Sequence, residues 1–347
     1  MLVFIVRRLF WAVLLAVVIT VITFVIFFLV PNNAATLRVG RGSLAQSLQA
    51  QFSLQGSLPE QYARFVGHIL TGDFGRSTRT RDQASDAITE ALPVTASLVI
   101  GGALMWLLIA SPIGLVSALR PRSLLDKGLM VFVVIGVSAH PVWLSLVLSY
   151  LFGAKLHLLP VGDYCNFFAD PSERCGGAVD WASHLVLPWL TFALLFAALY
   201  ARMIRASVIE LMDEDWVRTA RAKGATTSRV LRKHVLRNAL LPVVSMAGMD
   251  VGIAFAGALF IESAFGLPGM GQLLYRSATS TDLPVTMGVM LVVSCAVALS
   301  NLVADVLCFA LDPRIRERPL GSGRRWRPTS AWLRREPAPA RVTESAT

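Results

Sequence analysis

The chain has 347 residues, of which 55% are hydrophobic and only 16% charged, and its mean hydropathy is +0.61. This composition excludes an ordinary soluble globular domain, in which about a quarter of residues are charged. The net charge of +10 is carried by Lys and Arg beside apolar runs, a pattern of membrane topology rather than phosphate recognition, so lipid and not nucleic acid is the expected surrounding.

Runs that match the roughly 17–25 apolar residues needed to cross a bilayer occur at Leu9–Val30, Val94–Leu119, Gly128–Phe152, Leu185–Ala201, Ala239–Ile261 and Val285–Leu311. The sequence therefore predicts an all-α polytopic membrane protein with six transmembrane helices. The first run, residues 1–30, is longer than a signal-peptide core and Ala34-Ala35 is a poor cleavage site, so it reads as a retained helix. Residues 31–93 form the longest polar stretch between spans, broken by Gly40, Gly42, Gly56, Pro59 and Gly72; within it, Gly72-Asp-Phe-Gly-Arg-Ser77 reads as a tight turn. Residues 94–311 hold the other five spans. In the third, His140-Pro141 predicts a kink, because proline leaves the carbonyl near Val137 unpaired. The loop after that span carries Cys165 and Cys175 among turn-forming residues, either as a disulfide or as two free thiols. In the fifth, Asp250 is a carboxylate near mid-span, placed either to line a translocation path or to hydrogen-bond across a helix interface with a partner subunit, and Gly248, Gly252, Ala256 and Gly257 offer small surfaces for close packing. Residues 312–347 hold nine Arg and several Pro, the composition of a basic tail that buries no core and is expected to be disordered near anionic headgroups.

Orientation follows from charge. The N-terminus, the 120–127 loop, the 202–237 loop and the tail together hold 23 of the 32 Lys and Arg. The positive-inside rule therefore puts both termini and the 206–238 segment in the cytoplasm. That segment is a polar insert between apolar spans. Asp213-Glu214-Asp215 place negative charge at the start of a predicted short helix Trp216–Lys223, with Asp215 positioned to cap it. Lys223 lies near its end and Gly224 supplies a left-handed stop. Thr219, Ala220 and Ala222 keep the helix slim enough to enter a groove on another protein.

Chemistry is sparse. There is no G-x-x-x-x-G-K-[ST] phosphate loop, no H-E-x-x-H and no G-x-S-x-G elbow, and the five histidines lack ligand spacing. No catalytic residue, no metal site and no cofactor are expected on this chain; any use of ATP and Mg falls to a partner.

Arg218-Thr-Ala-Arg-Ala-Lys-Gly224 followed by Arg237-Asn-Ala-Leu-Leu-Pro242 resembles the cytoplasmic EAA loop of binding-protein-dependent ABC importer permeases, in the dipeptide, oligopeptide and nickel branch. Against the wider family pattern, Arg218 replaces Glu, Thr219 replaces the first Ala, His234 replaces Ile and Arg237 replaces Pro. Arg7-Arg8-Leu9, Gly72–Ser77, Glu262-Ser-Ala-Phe-Gly-Leu-Pro-Gly-Met-Gly271 and Leu311-Asp-Pro-Arg-Ile-Arg316 carry the same likeness. The resemblance implies a type I ABC importer permease fold in a bacterial inner membrane, working with a second homologous permease, two ABC ATPase subunits and an extracytoplasmic solute-binding protein. It assigns ATPase coupling to Asp215, Trp216, Arg218, Thr219, Ala220, Ala222, Lys223 and Gly224, and an outer gate or binding-protein contact to Glu262, Phe265, Pro268 and Gly269. It leaves Asp250 and Gly252 between translocation path and helix interface. A secondary, ion-gradient-driven transporter is the alternative, although no internal repeat supports it.

Overall fold

The computed structural model describes residues 2–26, 57–168, 170 and 175–311. Expectations for the tail 312–347, for 31–56 and for the end of the first span lie outside the described residues. The described chain forms α1 (Leu2–Phe24), α2 (Leu58–Leu70), α3 (Ala84–Leu119), α4 (Leu124–Ser138), α5 (Pro141–Leu148), α6 (Gly177–Met212), α7 (Asp215–Ala222), α8 (Thr227–Val230), α9 (Leu236–Phe265), α10 (Met270–Thr279) and α11 (Leu283–Leu311). Of these, α3, α6, α9 and Leu283–Leu307 of α11 are long and apolar enough to cross a membrane. A fifth span results if α4 and α5, with the π-helical segment Ser149–Lys155 that continues α5, count as one bent unit; α1 contributes a shorter apolar stretch, Leu9–Phe24.

The third predicted span is not one kinked helix. It stops at Ser138 and restarts at Pro141, and the two parts meet at 110°. The cause is local. Proline at the first helical position disfavours helical backbone in the residue before it. His140 is accordingly extended (φ −76°, ψ 136°), and its Nδ1 accepts from the Val142 N–H at 3.3 Å as the cap of α5.

The second span also starts ten residues earlier than predicted, at Ala84, and runs through Pro93. Ala84, Ile88 and Ala91 on these added turns are buried against Met270, Val285 and Val289, so tertiary packing outweighs the proline. Along α3, small residues admit α6. A side chain at Gly101 would strike Trp189. One at Gly102 would lie 3.0 Å from Phe192, and one at Gly114 2.6 Å from the Ala201 carbonyl oxygen. The Trp189 indole N–H donates to the Ser97 carbonyl at 2.9 Å across this seam. The α3–α6 pair is the most extensive contact in the fold, and the main core is built on it with α9. Gly136 brings α4 onto α6 in the same way, and Gly248 and Gly252 bring α9 onto Ala304 and Val297 of α11. The first helix is held by α11 and by amphipathic α2, whose Phe65 is fully buried and whose Tyr62 hydroxyl bonds Thr20 at 2.9 Å.

Candidate functional site

Three groups of predicted site residues fall at three levels of the bundle. At one end lies α7. It begins at Asp215, one residue earlier than predicted, and the cap position belongs to Glu214, which makes no side-chain capping bond. The Glu214 carbonyl instead accepts from the Val217 and Arg218 N–H groups at 3.0 and 3.3 Å. Asp215 is therefore a first-turn acid that meets the helix dipole, not the cap. Gly224 has φ +83°, and the turn closes by Gly224 N–H to Arg221 O (2.9 Å) and Ala225 N–H to Ala220 O (3.1 Å).

Val217 alone on α7 is fully buried, in the main core, while Ala220 is half-buried. Asp215, Trp216, Arg218, Thr219, Ala222, Lys223 and Gly224 are exposed. Arg218 lies 3.6 Å from Asp215 on the same helix, and both are open to solvent. After the turn, Thr226 caps α8 by accepting from the Arg229 N–H at 3.4 Å, and Val230, Leu231 and Val235 return the chain to the core. A polar segment is thus pinned at both ends by apolar anchors.

A partly buried ion pair that the sequence reading missed joins α4 to α6. Arg205 of α6 donates to both Asp126 oxygens at 2.7 and 2.9 Å. Asp126 also accepts from the Ser117 hydroxyl and from the Arg122 N–H at 2.9 Å, and it is only 4% exposed. The end of α3, the start of α4 and the last turns of α6 are therefore tied together by one carboxylate. The available sequence signal was Ser123-x-x-Asp126, a helix-start pattern; Arg205, which shares the last turns of α6 with Arg202 and Glu210, carried no mark of its partner.

At mid-height, Asp250 is buried and accepts from the Tyr200 hydroxyl at 2.7 Å. Its polar partner lies on α6 of the same chain, beside Trp106, which stacks on Phe196 at 4.6 Å between ring centres. Gly252 does not join this group; it packs toward Val297 of α11.

At the far end, Glu262 is completely buried. It accepts from the Thr95 hydroxyl at 2.5 Å and from the Gln272 N–H at 2.9 Å, while Thr95 accepts from the Met270 N–H at 2.8 Å. Gly269 crosses so close to the Glu262 carboxylate that a side chain there would overlap it, and Gly266 ends α9 with φ +69°. Phe265 is buried with them, so of the four residues in this group only Pro268 is exposed. In this conformation Glu262 ties α3, α9 and α10 together and is closed off from solvent. A parallel tie holds Gly72–Ser77: Asp282 accepts from the Ser77 hydroxyl and from the Thr78 N–H at 3.1 Å, with Gly72 and Gly75 both at positive φ. At this end Cys165 and Cys175 are joined as a disulfide, Cα atoms 5.0 Å apart, with His184 Nδ1 3.2 Å from Cys165 Sγ.

Residues 110–317 match the sequence profile of the binding-protein-dependent transport system inner membrane component, and residues 1–99 match that of its N-terminal region. The chain is 33% identical over 329 residues to a protein of Escherichia coli K12 named as a probable D,D-dipeptide transport system permease protein, DdpB, covering 90% of this chain and 97% of that one. It is 32% identical over 335 residues to the di/tripeptide transport system permease protein DppB of Pseudomonas aeruginosa, covering 92% and 100%. Its fold resembles a chain from an inward-facing structure of the MetNI methionine ABC transporter, with a TM-score of 0.52 and 18% identity over 65% of this chain and 96% of that one.

Proposed function

This chain belongs to the family of binding-protein-dependent transport system inner membrane components, and on that premise we propose how it works within such an importer. It is a multi-pass membrane permease subunit, and ATP hydrolysis belongs to a separate subunit. In our reading it has six spans with both termini in the cytoplasm of a bacterial inner membrane. It pairs with a second, similar permease to enclose the path, above two ATPases and below a solute-binding protein. The cargo is a short peptide, by likeness to relatives named for dipeptides and tripeptides.

The observation that carries the coupling role is α7: one buried anchor, Val217, with most of its other side chains facing outward. Docked in a groove of an ATPase, a helix anchored in this way moves as a rigid body, and two conformations of the bundle are biased by its differential contacts. Asp126–Arg205 passes that displacement from α6 to α3 and α4. Asp250 would then serve as an internal polar tie between α6 and α9 near the path, and Pro268 would lie at the outer mouth.

The test is reconstitution of the chain with its candidate partners in liposomes. Peptide uptake should require ATP and the binding protein and should persist when ion gradients are collapsed. Uptake that follows an ion gradient without ATP would overturn this reading in favour of a secondary transporter.

A further inference from the structure

At the disulfide end, a cavity of about 830 Å³ opens between the first turns of α3, the loop that precedes α6, and α10. That volume lies within the range of small-molecule sites, about 300–1,000 Å³. Its walls divide by chemistry. Glu90 of α3 and Arg276 of α10 both face it, and no ion pair joins them among the described residues. Gln272, with its amide oxygen turned toward Arg276, accepts from the guanidinium at 3.2 Å and donates to the Leu267 carbonyl at 3.0 Å, which orients the cation.

The opposite wall is aromatic. Phe167 packs edge-on against both Phe168 and Trp181, with ring centres 5.1 and 5.2 Å apart. Phe168 is 91% exposed, so its ring is open to a molecule at the rim of the cavity. The indole N–H of Trp181 is buried without an acceptor among the described residues. Cys165 lies immediately before this aromatic segment, so the disulfide fixes the wall.

A carboxylate, a separate guanidinium and an apolar face match a short zwitterion with a hydrophobic side chain: ammonium to Glu90, carboxylate to Arg276, side chain against Phe168. We infer that this cavity is a receiving subsite for short peptides with free termini and an aromatic or aliphatic side chain. The inference rests on the peptide reading given above. The subsite would hold cargo weakly at the mouth of the path, with the charged pair selecting free termini and the disulfide-held wall selecting side chains.

The assembled transporter, without binding protein, is titrated with a phenylalanine-containing dipeptide, its N-acetylated form and its C-amidated form, and ATP-driven uptake is measured in parallel. Binding of the free dipeptide should weaken about tenfold or more on either block. Glu90→Gln should abolish discrimination against N-acetylation alone, Arg276→Gln discrimination against C-amidation alone, and Phe168→Ala should weaken all three forms. Glu90, Arg276 and Phe168 are exposed, so these variants should assemble at wild-type levels, checked by the yield of complex. Saturable binding indifferent to blocked termini or to these variants overturns the subsite. So does loss of binding-protein-stimulated ATPase in the variants with peptide binding unchanged, which would make the cavity the binding protein's docking face. Absence of wild-type peptide uptake would instead overturn the cargo reading, whatever the titration shows.

Discussion

Gly224 is the residue at which backbone geometry bears most directly on function. At φ +83° an L side chain is strained by about 1–2 kcal/mol, although open space surrounds the position. Gly224→Val should therefore leave membrane insertion and complex yield intact while lowering transport several-fold, read as uptake per assembled complex; normal uptake would remove α7 from the coupling role. The Tyr200–Asp250 bond gives a second single-residue test. Tyr200→Phe leaves a buried carboxylate without its donor, a loss of about 1–3 kcal/mol. The thermal midpoint of the solubilised complex should fall, and Asp250→Asn, which can still accept from Tyr200, should fall less. A larger loss in Asp250→Asn than in Tyr200→Phe would mean that the charge of Asp250, not its hydrogen bond, is what the site requires. Gly224 was legible in the sequence because a glycine after a short helix with acids at its start and a base at its end has one common use. The partner of Asp250 was not, since Tyr200 lies 50 residues away on a helix whose facing side no local pattern announces.

Among the elements, the α3–α4–α6 junction makes the sharpest prediction. Asp126→Ala would leave Arg205 without either of its two carboxylate contacts in a place only partly open to water. We expect lower stability of the complex together with weaker coupling, seen as ATP hydrolysis that continues while transport falls; Asp126→Glu should recover part of the coupling. An unchanged ratio of transport to hydrolysis would confine Asp126 to a structural role. Element boundaries were only partly legible. Apolar runs located α3, α6, α9 and α11 to within about a turn or two at most ends, but hydropathy stops at the first polar residue, whereas helices continue as far as packing supports them. Hence α3 reaches back to Ala84 and α6 forward to Met212. His140-Pro141 was recognised as a disturbance, but whether proline bends a helix or ends it depends on whether the preceding residue finds a cap, and the His140 ring supplies one.

For the molecule as a whole, the positive-inside count predicts that reporters fused after Met212 or at the C-terminus are active only in the cytoplasm, and that one placed at Gly176 is active only outside. Accessibility of single cysteines at the same sites to an impermeant thiol reagent checks this, and labelling of the 213–226 segment from outside intact cells would invert the topology. The expected orientation rests on charge placed beside spans. The ties of Glu262 with Thr95 and of Asp282 with Ser77 and Thr78 were not legible in the sequence, because each joins segments more than 160 residues apart through one buried carboxylate. Family likeness assigned Glu262 to an outer gate or a binding-protein contact; in this conformation it is buried and fastens that end of the bundle.

The glycine seam between α3 and α6 has a consequence for biosynthesis. At 5–20 residues/s, the chain between Leu119 and Gly177 takes roughly 3–11 s to make. For that interval α3 sits in the bilayer with the grooves at Gly101, Gly102 and Gly114 empty, while α4 and α5 are threaded past it. Larger residues at these positions would block α6 as it arrives, so such variants should be lost to membrane quality-control proteolysis during synthesis, and the few molecules that escape should be too poorly joined to survive solubilisation.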